Sequence, residues 1–290
     1  MTNEKEMKKL RKKCERTQFF MKLFVATRRK SKGNKRFHKT SHGEVKVYEY
    51  GFDSTEITPL FIDLHGGGFV LGAAELDEEK CVQFWKKANI RVVNIDYPKA
   101  PKHPFPAAIE AIYEIIKHYV QNAEGYKIDP ERVGIGGHSA GGNLSAAICI
   151  KAKETGDLSF KLQVLNFPPL DMTIDPFTKK SPKGSVKPDE IKMYNVCYFN
   201  NDIEIAKSPY LSPVYATKGQ LTGLPPALLI VAGQDSLRDE GIRYGEMLKA
   251  AGVDVEFHEF KDSVHGFTYY RKSDAKKGIS LMADYIRINI

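Results

Sequence analysis

The pentapeptide Gly137-His138-Ser139-Ala140-Gly141 has the pattern G-x-S-x-G. It follows the apolar run RVGIGG (132–137) and precedes a stretch with helical patterning, 139–153. A sharp strand-to-helix turn lifts a serine hydroxyl above a sheet, beside the N–H donors and positive dipole end of a helix N-terminus. Glycines at 137 and 141 leave room for neighbouring backbone. Five residues with three fixed positions recur by chance, so the strand–turn–helix context carries the weight. A second motif, His65-Gly66-Gly67-Gly68, directly follows the apolar run LFIDL (60–64). Glycines there let backbone amides face a cavity and meet a developing oxyanion; an ordinary glycine-rich turn is the competing reading. Phosphate cradling is disfavoured, because neither G-x-x-x-x-G-K-[ST] nor a helix-opening G-x-G-x-x-G is present.

A nucleophilic serine needs a base, and the base needs an orienting acid. Asp235 lies just past the apolar run ALLIVAG (227–233), and His265 just past the run VDVEFHE (253–259). Both fall at the sheet edge that carries Ser139, where doubly wound sheets place their sites. Asp239 and Asp262 compete for the acid and His258 for the base. His258 lies within a strand rather than after one. Asp239 is expected one turn into a helix, where a carboxylate is a favourable N-terminal charge.

The elements that hold these residues alternate. Apolar runs at 45–50, 60–64, 91–96, 132–137, 162–167, 227–233 and 253–259 read as strands, the first with the period-two pattern of an edge strand. Amphipathic stretches at 76–88, 106–121, 139–153, about 238–251 and from about 273 read as helices. Such alternation predicts an α/β fold, a mostly parallel sheet with helices on both faces. The stretch from Pro168 to Pro226, with helical-looking 188–199, is too long for an ordinary connection and is expected to be an insertion over the sheet.

The 290 residues, 42% of them hydrophobic, suffice for one large core and exclude a disordered or collagenous chain. The net charge of +8 belongs to residues 1–40, which hold 15 Lys/Arg against 3 Glu; the other 250 carry −4. The fold itself is therefore not basic, and nucleic acid is not an expected partner. Met7, Leu10, Cys14, Thr17, Met21 and Phe24 recur at helical spacing. A helix packing this stripe on the body fits better than a basic amphipathic helix on a membrane surface, because the stripe is short and sparsely apolar. There is no apolar run of about 18 residues and no apolar core of a secretory signal, so a cytoplasmic protein is expected. The cysteines, Cys14, Cys81, Cys149 and Cys197, are far apart, which predicts free thiols and no zinc site.

Four blocks together resemble the hormone-sensitive-lipase-like esterases and lipases of the α/β-hydrolases: His65–Gly68, Asp96-Tyr97 through Ala108, Gly137–Gly142, and the Asp235 and His265 blocks. The chain order Ser, Asp, His agrees. The resemblance implies an α/β-hydrolase fold over residues 43–290, capped by N-terminal helices (1–42) and by an insertion after the sixth strand, about 168–226. It implies Ser139 as nucleophile, His265 as base, Asp235 as orienting acid and an oxyanion hole from the amides of Gly67, Gly68 and Ala140, supported by His65, Gly66, Gly137 and Gly141. The expected activity is carboxylesterase, on short-to-medium acyl esters of small molecules, with no cofactor or metal. A peptidase or amidase on the same triad and a non-catalytic ligand-binding protein are the alternatives, and a homodimer through the edge strand near 253–259 is left open. The block usually reading D-Y-R-L-A-P-E is Asp96-Tyr97-Pro98-Lys99-Ala100-Pro101-Lys102 here, which predicts altered packing beside the site rather than lost activity. His138 stands where Asp is commoner; a buried neighbour of the turn is its expected role.

Overall fold

The computed structural model describes residues 3–27, 31–270 and 273–290. In chain order the elements are α1 (Glu4–Ala26), β1 (Asn34–Thr40), β2 (Gly43–Tyr50), β3 (Thr58–Leu64), α2 (Glu78–Ala88), β4 (Arg91–Asp96), α3 (Ala107–Gln121), α4 (Ala123–Tyr126) and β5 (Ile128–His138). There follow α5 (Ala140–Thr155), β6 (Leu162–Asn166), α6 (Pro188–Phe199), α7 (Ile203–Ala206), α8 (Lys218–Leu221), β7 (Ala227–Gln234), α9 (Arg238–Ala250), β8 (Val255–Val264) and α10 (Ser273–Asn289). The eight strands of the described residues form one sheet in the order β1-β2-β4-β3-β5-β6-β7-β8. β2 runs antiparallel to both β1 and β4, and every other neighbouring pair is parallel.

All seven residues of β3 are buried, as a central strand covered on both faces requires. Its period-two alternation sends Leu60, Ile62 and Leu64 into one core with Ile112 and Ile116 of α3 and Leu144 and Ile148 of α5. Phe61 faces the other way, into a second core with Phe84 of α2 and Met282 and Ile286 of α10. Each fully buried side chain of this size contributes about 1.5–3 kcal/mol of transfer free energy, so the two layers clamp the sheet that carries the site. Asp63 shares the α2 side with Phe61, an unusual place for a carboxylate.

Two expectations need correction. Residues 1–42 are not all cap helices: after α1 the chain enters β1, whose burial pattern is largely exposed and hides the period-two signal from the sequence. β2 is consequently not an edge strand; β1 covers it, and the sheet's edges are β1 and β8. Residues 28–30, inside the expected cap segment, lie outside the described residues. α1 packs on α6, with Lys192 Nζ 2.6 Å from Glu6 Oε1 and Cys14 fully buried. Gln18 Nε2 donates to the carbonyls of Val70 and Ala100 at 2.7 Å, tying α1 to the body. Of the stripe, Phe24 is 54% exposed, and Phe19, Phe20 and Leu23 are exposed on α1 as well. The four cysteines are free, as expected, and all are buried.

Candidate active site

β5 ends at His138 and α5 begins at Ala140, leaving Ser139 alone in the turn at φ 53°, ψ −124°. A left-handed φ on a residue with a Cβ is strained, and it persists only where the surroundings hold it. Ser139 N–H donates to Asn166 O on β6 at 2.9 Å, and Ser139 O accepts from Asn143 N at 3.1 Å. The flanking glycines are obligatory for close approach. A Cβ on Gly137 would stand 2.4 Å from Leu64 O, and one on Gly141 only 1.9 Å from the same oxygen.

Asp235 follows β7 and His265 follows β8, so parallel neighbours deliver both to the strand ends beside Ser139. His265 Nε2 lies 2.9 Å from Ser139 Oγ, and His265 Nδ1 lies 2.6 Å from Asp235 Oδ2. The Asp235 carboxylate is buried and its other oxygen accepts from Leu237 N at 3.3 Å. The serine, aspartate and histidine read from the sequence are thus brought together in space. The competitors are elsewhere: Asp239 pairs with Arg238, His258 pairs with Glu256, and Asp262 is exposed.

The glycine run lines the same pocket as Ser139 and His265. Gly67 (φ 130°) and Gly68 (φ 60°) both need conformations that side chains resist, and a Cβ on Gly68 would meet the Tyr194 ring at 2.4 Å. Gly67 O accepts from Leu71 N at 2.8 Å, closing the turn. Among the described residues no protein acceptor takes the N–H of Gly67 or Gly68, and the Ala140 N–H is one of the first amides of α5, which a helix leaves unpaired. His65 is fully buried, stacked on Tyr97 at 4.2 Å, and its Nδ1–H donates to Gly66 O at 2.7 Å. Burial, with the Lys99 charge adding to it, lowers its pKa. Its Nε2 is 3.3 Å from Asp96 Oδ1. Burial alone would raise the Asp96 carboxyl, but Lys99, His65 and Lys46 outweigh it and hold it well below the usual range. Lys99 Nζ closes to 2.5 Å from Asp96. Lys99, one of the departures from D-Y-R-L-A-P-E, thus pairs with the aspartate that opens the same block.

A cavity of about 290 Å³ opens over Ser139 and His265, walled by Phe167, Met172, Ile191, Tyr194, Leu237 and Tyr269 among others. Most of its wall is apolar, and the segment between β6 and β7 supplies much of it. That segment is pinned to the body by Asn143 Nδ2, which donates to Pro169 O and Leu211 O at 2.8 and 2.9 Å, and by Lys179 at 2.5 Å from buried Glu240. No group of metal-ligating side chains occurs among the described residues, and no helix of the described residues is long and apolar enough to cross a membrane.

Sequence reasoning missed a set of charged residues under the Ser139 turn: Asp63, Asp77 and Lys80, all buried and in contact with His138 or with one another. The one signal available was Asp63 itself, a carboxylate inside an otherwise apolar run.

Residues 61–269 match the family model described as alpha/beta hydrolase fold. The chain is 34% identical over 215 residues to Esterase LipI and 36% identical over 241 residues to Carboxylic ester hydrolase LipN, both of Mycobacterium tuberculosis. Those matches cover 73% and 78% of this chain but 66% and 61% of the two relatives, so it spans somewhat under two thirds of their length. Among solved structures, the Pyrobaculum calidifontis esterase superposes with a TM-score of 0.83 at 30% identity, over 97% of this chain and 92% of that one. The thermostable carboxylesterase EstE1, from a metagenomic library, gives 0.82 at 28% identity, over 98% and 97%. With its sheet order, Ser139 turn and glycine loop in place, the chain belongs to the α/β-hydrolases, in the hormone-sensitive-lipase-like esterase and lipase family.

Proposed function

We propose that the protein is a serine carboxylesterase that hydrolyses short-to-medium acyl esters of small molecules through an acyl-enzyme. The observation that carries this reading is the continuous hydrogen-bonded chain Asp235–His265–Ser139 at the floor of an apolar pocket. His265 takes the Ser139 proton as Oγ attacks the ester carbonyl, and Asp235 keeps the imidazole proton on Nδ1 so that Nε2 can accept. The amides of Gly67, Gly68 and Ala140 meet the oxyanion, each such donor worth about 2.7–4 kcal/mol in related chemistry. His265 then protonates the departing alcohol, and water repeats the sequence on the acyl-enzyme. α1 and the segment between β6 and β7 act as the cap, and the modest, mostly apolar cavity is what favours short-to-medium acyl groups.

Amide cleavage by the same groups remains the rival chemistry, and matched ester and anilide substrates separate the two. Hydrolysis of p-nitrophenyl esters from acetyl to dodecanoyl, by the wild type and by Ser139→Ala, tests the reading. Turnover that vanishes in the variant and falls off at long acyl chains is expected. A folded wild type that turns over none of them returns the fold to a ligand-binding role.

A further inference from the structure

Four ionisable side chains that the triad does not use lie beneath the nucleophile turn. Asp63 comes from β3, Asp77 from the turn before α2, Lys80 from α2 and His138 from the last position of β5. All four are buried. Lys80 Nζ lies 2.9 Å from Asp63 Oδ1, 3.5 Å from Asp77 Oδ2 and 2.7 Å from His138 Nδ1.

These contacts fix a direction. A lysine held between two carboxylates is an ammonium, which donates and never accepts. His138 Nδ1 is therefore an acceptor, and the ring's proton sits on Nε2. Burial, reinforced by the Lys80 charge, keeps the ring neutral, so it has no second proton. His138 Nε2–H donates to the Tyr269 hydroxyl oxygen, with Asp77 Oδ1 flanking at 3.3 Å. Gly66 N–H, the first amide of the glycine run, donates to the same phenolic oxygen at 3.3 Å. With two donors already on its oxygen, the Tyr269 hydroxyl has to aim its own proton elsewhere. Tyr269 lines the pocket together with Ser139 and His265, and it is 43% exposed.

We propose that Tyr269 is a further catalytic residue, whose hydroxyl hydrogen-bonds the alkoxy oxygen of the ester as its C–O bond breaks, with Lys80 and His138 as positioning residues that fix the sense of donation. The side is set by the chain. Tyr269 closes the turn Phe267–Tyr269, directly after His265, the residue that hands the proton to the leaving alcohol. The carbonyl oxygen already has the amides of Gly67, Gly68 and Ala140 as donors, which leaves the Tyr269 hydroxyl for the other ester oxygen. Tyr269 keeps its proton throughout: the proton that leaves with the alcohol is the one His265 took from Ser139. A donor held ready at the leaving oxygen matters most for esters of basic, poorly departing alcohols, such as alkyl esters, and least for activated phenyl esters. This inference rests on the esterase reading above.

The test compares kcat/KM of the wild type and Tyr269→Phe on ethyl acetate, phenyl acetate and p-nitrophenyl acetate. p-Nitrophenolate departs without help, whereas ethoxide does not. The variant is expected to lose a few-fold on p-nitrophenyl acetate and about tenfold more than that on ethyl acetate, which corresponds to about 1.4 kcal/mol specific to the leaving group. His138→Phe, which removes the donor to Tyr269, is expected to share the steeper dependence on the alcohol. A loss of equal size on all three esters, or none, overturns the role of Tyr269 while leaving the esterase intact; a wild type inactive on p-nitrophenyl acetate removes both readings.

Discussion

Replacing Lys80 by methionine removes a buried cation while keeping an unbranched chain of similar length. The Lys80 ammonium is 7% exposed and the Asp63 and Asp77 carboxylates 1% each, so solvent replaces none of what is lost. Breaking a buried pair by removing one partner costs about 3–5 kcal/mol, because the remaining charge is stranded. For a chain of this size that lowers Tm on the order of 10 °C, at roughly 2–4 °C per kcal/mol. The pH dependence follows from Asp77. Burial raises its pKa to about 7 even with Lys80 pulling it down. An acid whose folded value lies above its unfolded one stabilises the fold below the unfolded pKa and loses that contribution as pH rises through the folded value. Without Lys80 the folded value climbs further, so the gap between variant and wild type should widen between pH 5 and pH 8. Urea denaturation of both proteins at these two pH values measures it. We expect a deficit of about 3–5 kcal/mol at pH 8, smaller by up to about 1.4 kcal/mol, one pKa unit, at pH 5. A deficit below about 1 kcal/mol, the scale of a solvated surface pair, or one indifferent to pH, would mean that Lys80 is not the cation neutralising these carboxylates.

Asp235→Asn tests the orienting role: an amide at that position no longer holds the His265 proton on Nδ1, and kcat on p-nitrophenyl acetate should fall on the order of 10⁴ with the melting temperature little changed. A fall of less than tenfold would point to another acid. Gly141→Ala forces a Cβ to within 1.9 Å of Leu64 O, so thermal melts should show a loss of at least about 3 kcal/mol. Gly125→Ala, where a Cβ meets nothing within 4 Å, serves as its control and should be neutral to within about 1 kcal/mol.

What was legible in the sequence was what is written locally. The nucleophile turn, the glycine loop and the positions of Asp235 and His265 were all readable, because each is tied to a strand end whose apolar run announces it. The helices at 106–121 and 188–199 fall within a residue of Ala107–Gln121 and Pro188–Phe199 for the same reason. β1 was not readable: NKRFHKT carries four cations or imidazoles in seven residues and leaves Phe37 exposed, so no alternation survives. Its pairing with β2, from Asn34↔Glu49 to Thr40↔Gly43, is a short-range ladder whose only sequence mark is the Ser41-His42 turn. The ionic cluster was hidden for the opposite reason. Its members are 63, 77, 80 and 138, and nothing in any one segment says that the others lie within 4 Å.

That cluster also explains why each of its residues looks misplaced when taken alone. Asp63 in a central strand, Lys80 on the buried side of α2 and a histidine before the nucleophile would each be costly without the rest. Together they satisfy one another: the lysine neutralises the carboxylates, and the histidine accepts from the lysine. The donor that points out of the cluster is the His138 Nε2–H, directed at Tyr269 in the pocket wall. An apolar set of the same volume would hold the turn at least as firmly, since buried ion pairs are poor stabilisers compared with well-packed side chains. What such a set would not supply is a donor of fixed direction reaching from the core to the pocket. The cluster's place under Ser139, rather than elsewhere in a core with ample apolar packing, therefore fits a role in orienting the chemistry better than a role in stability.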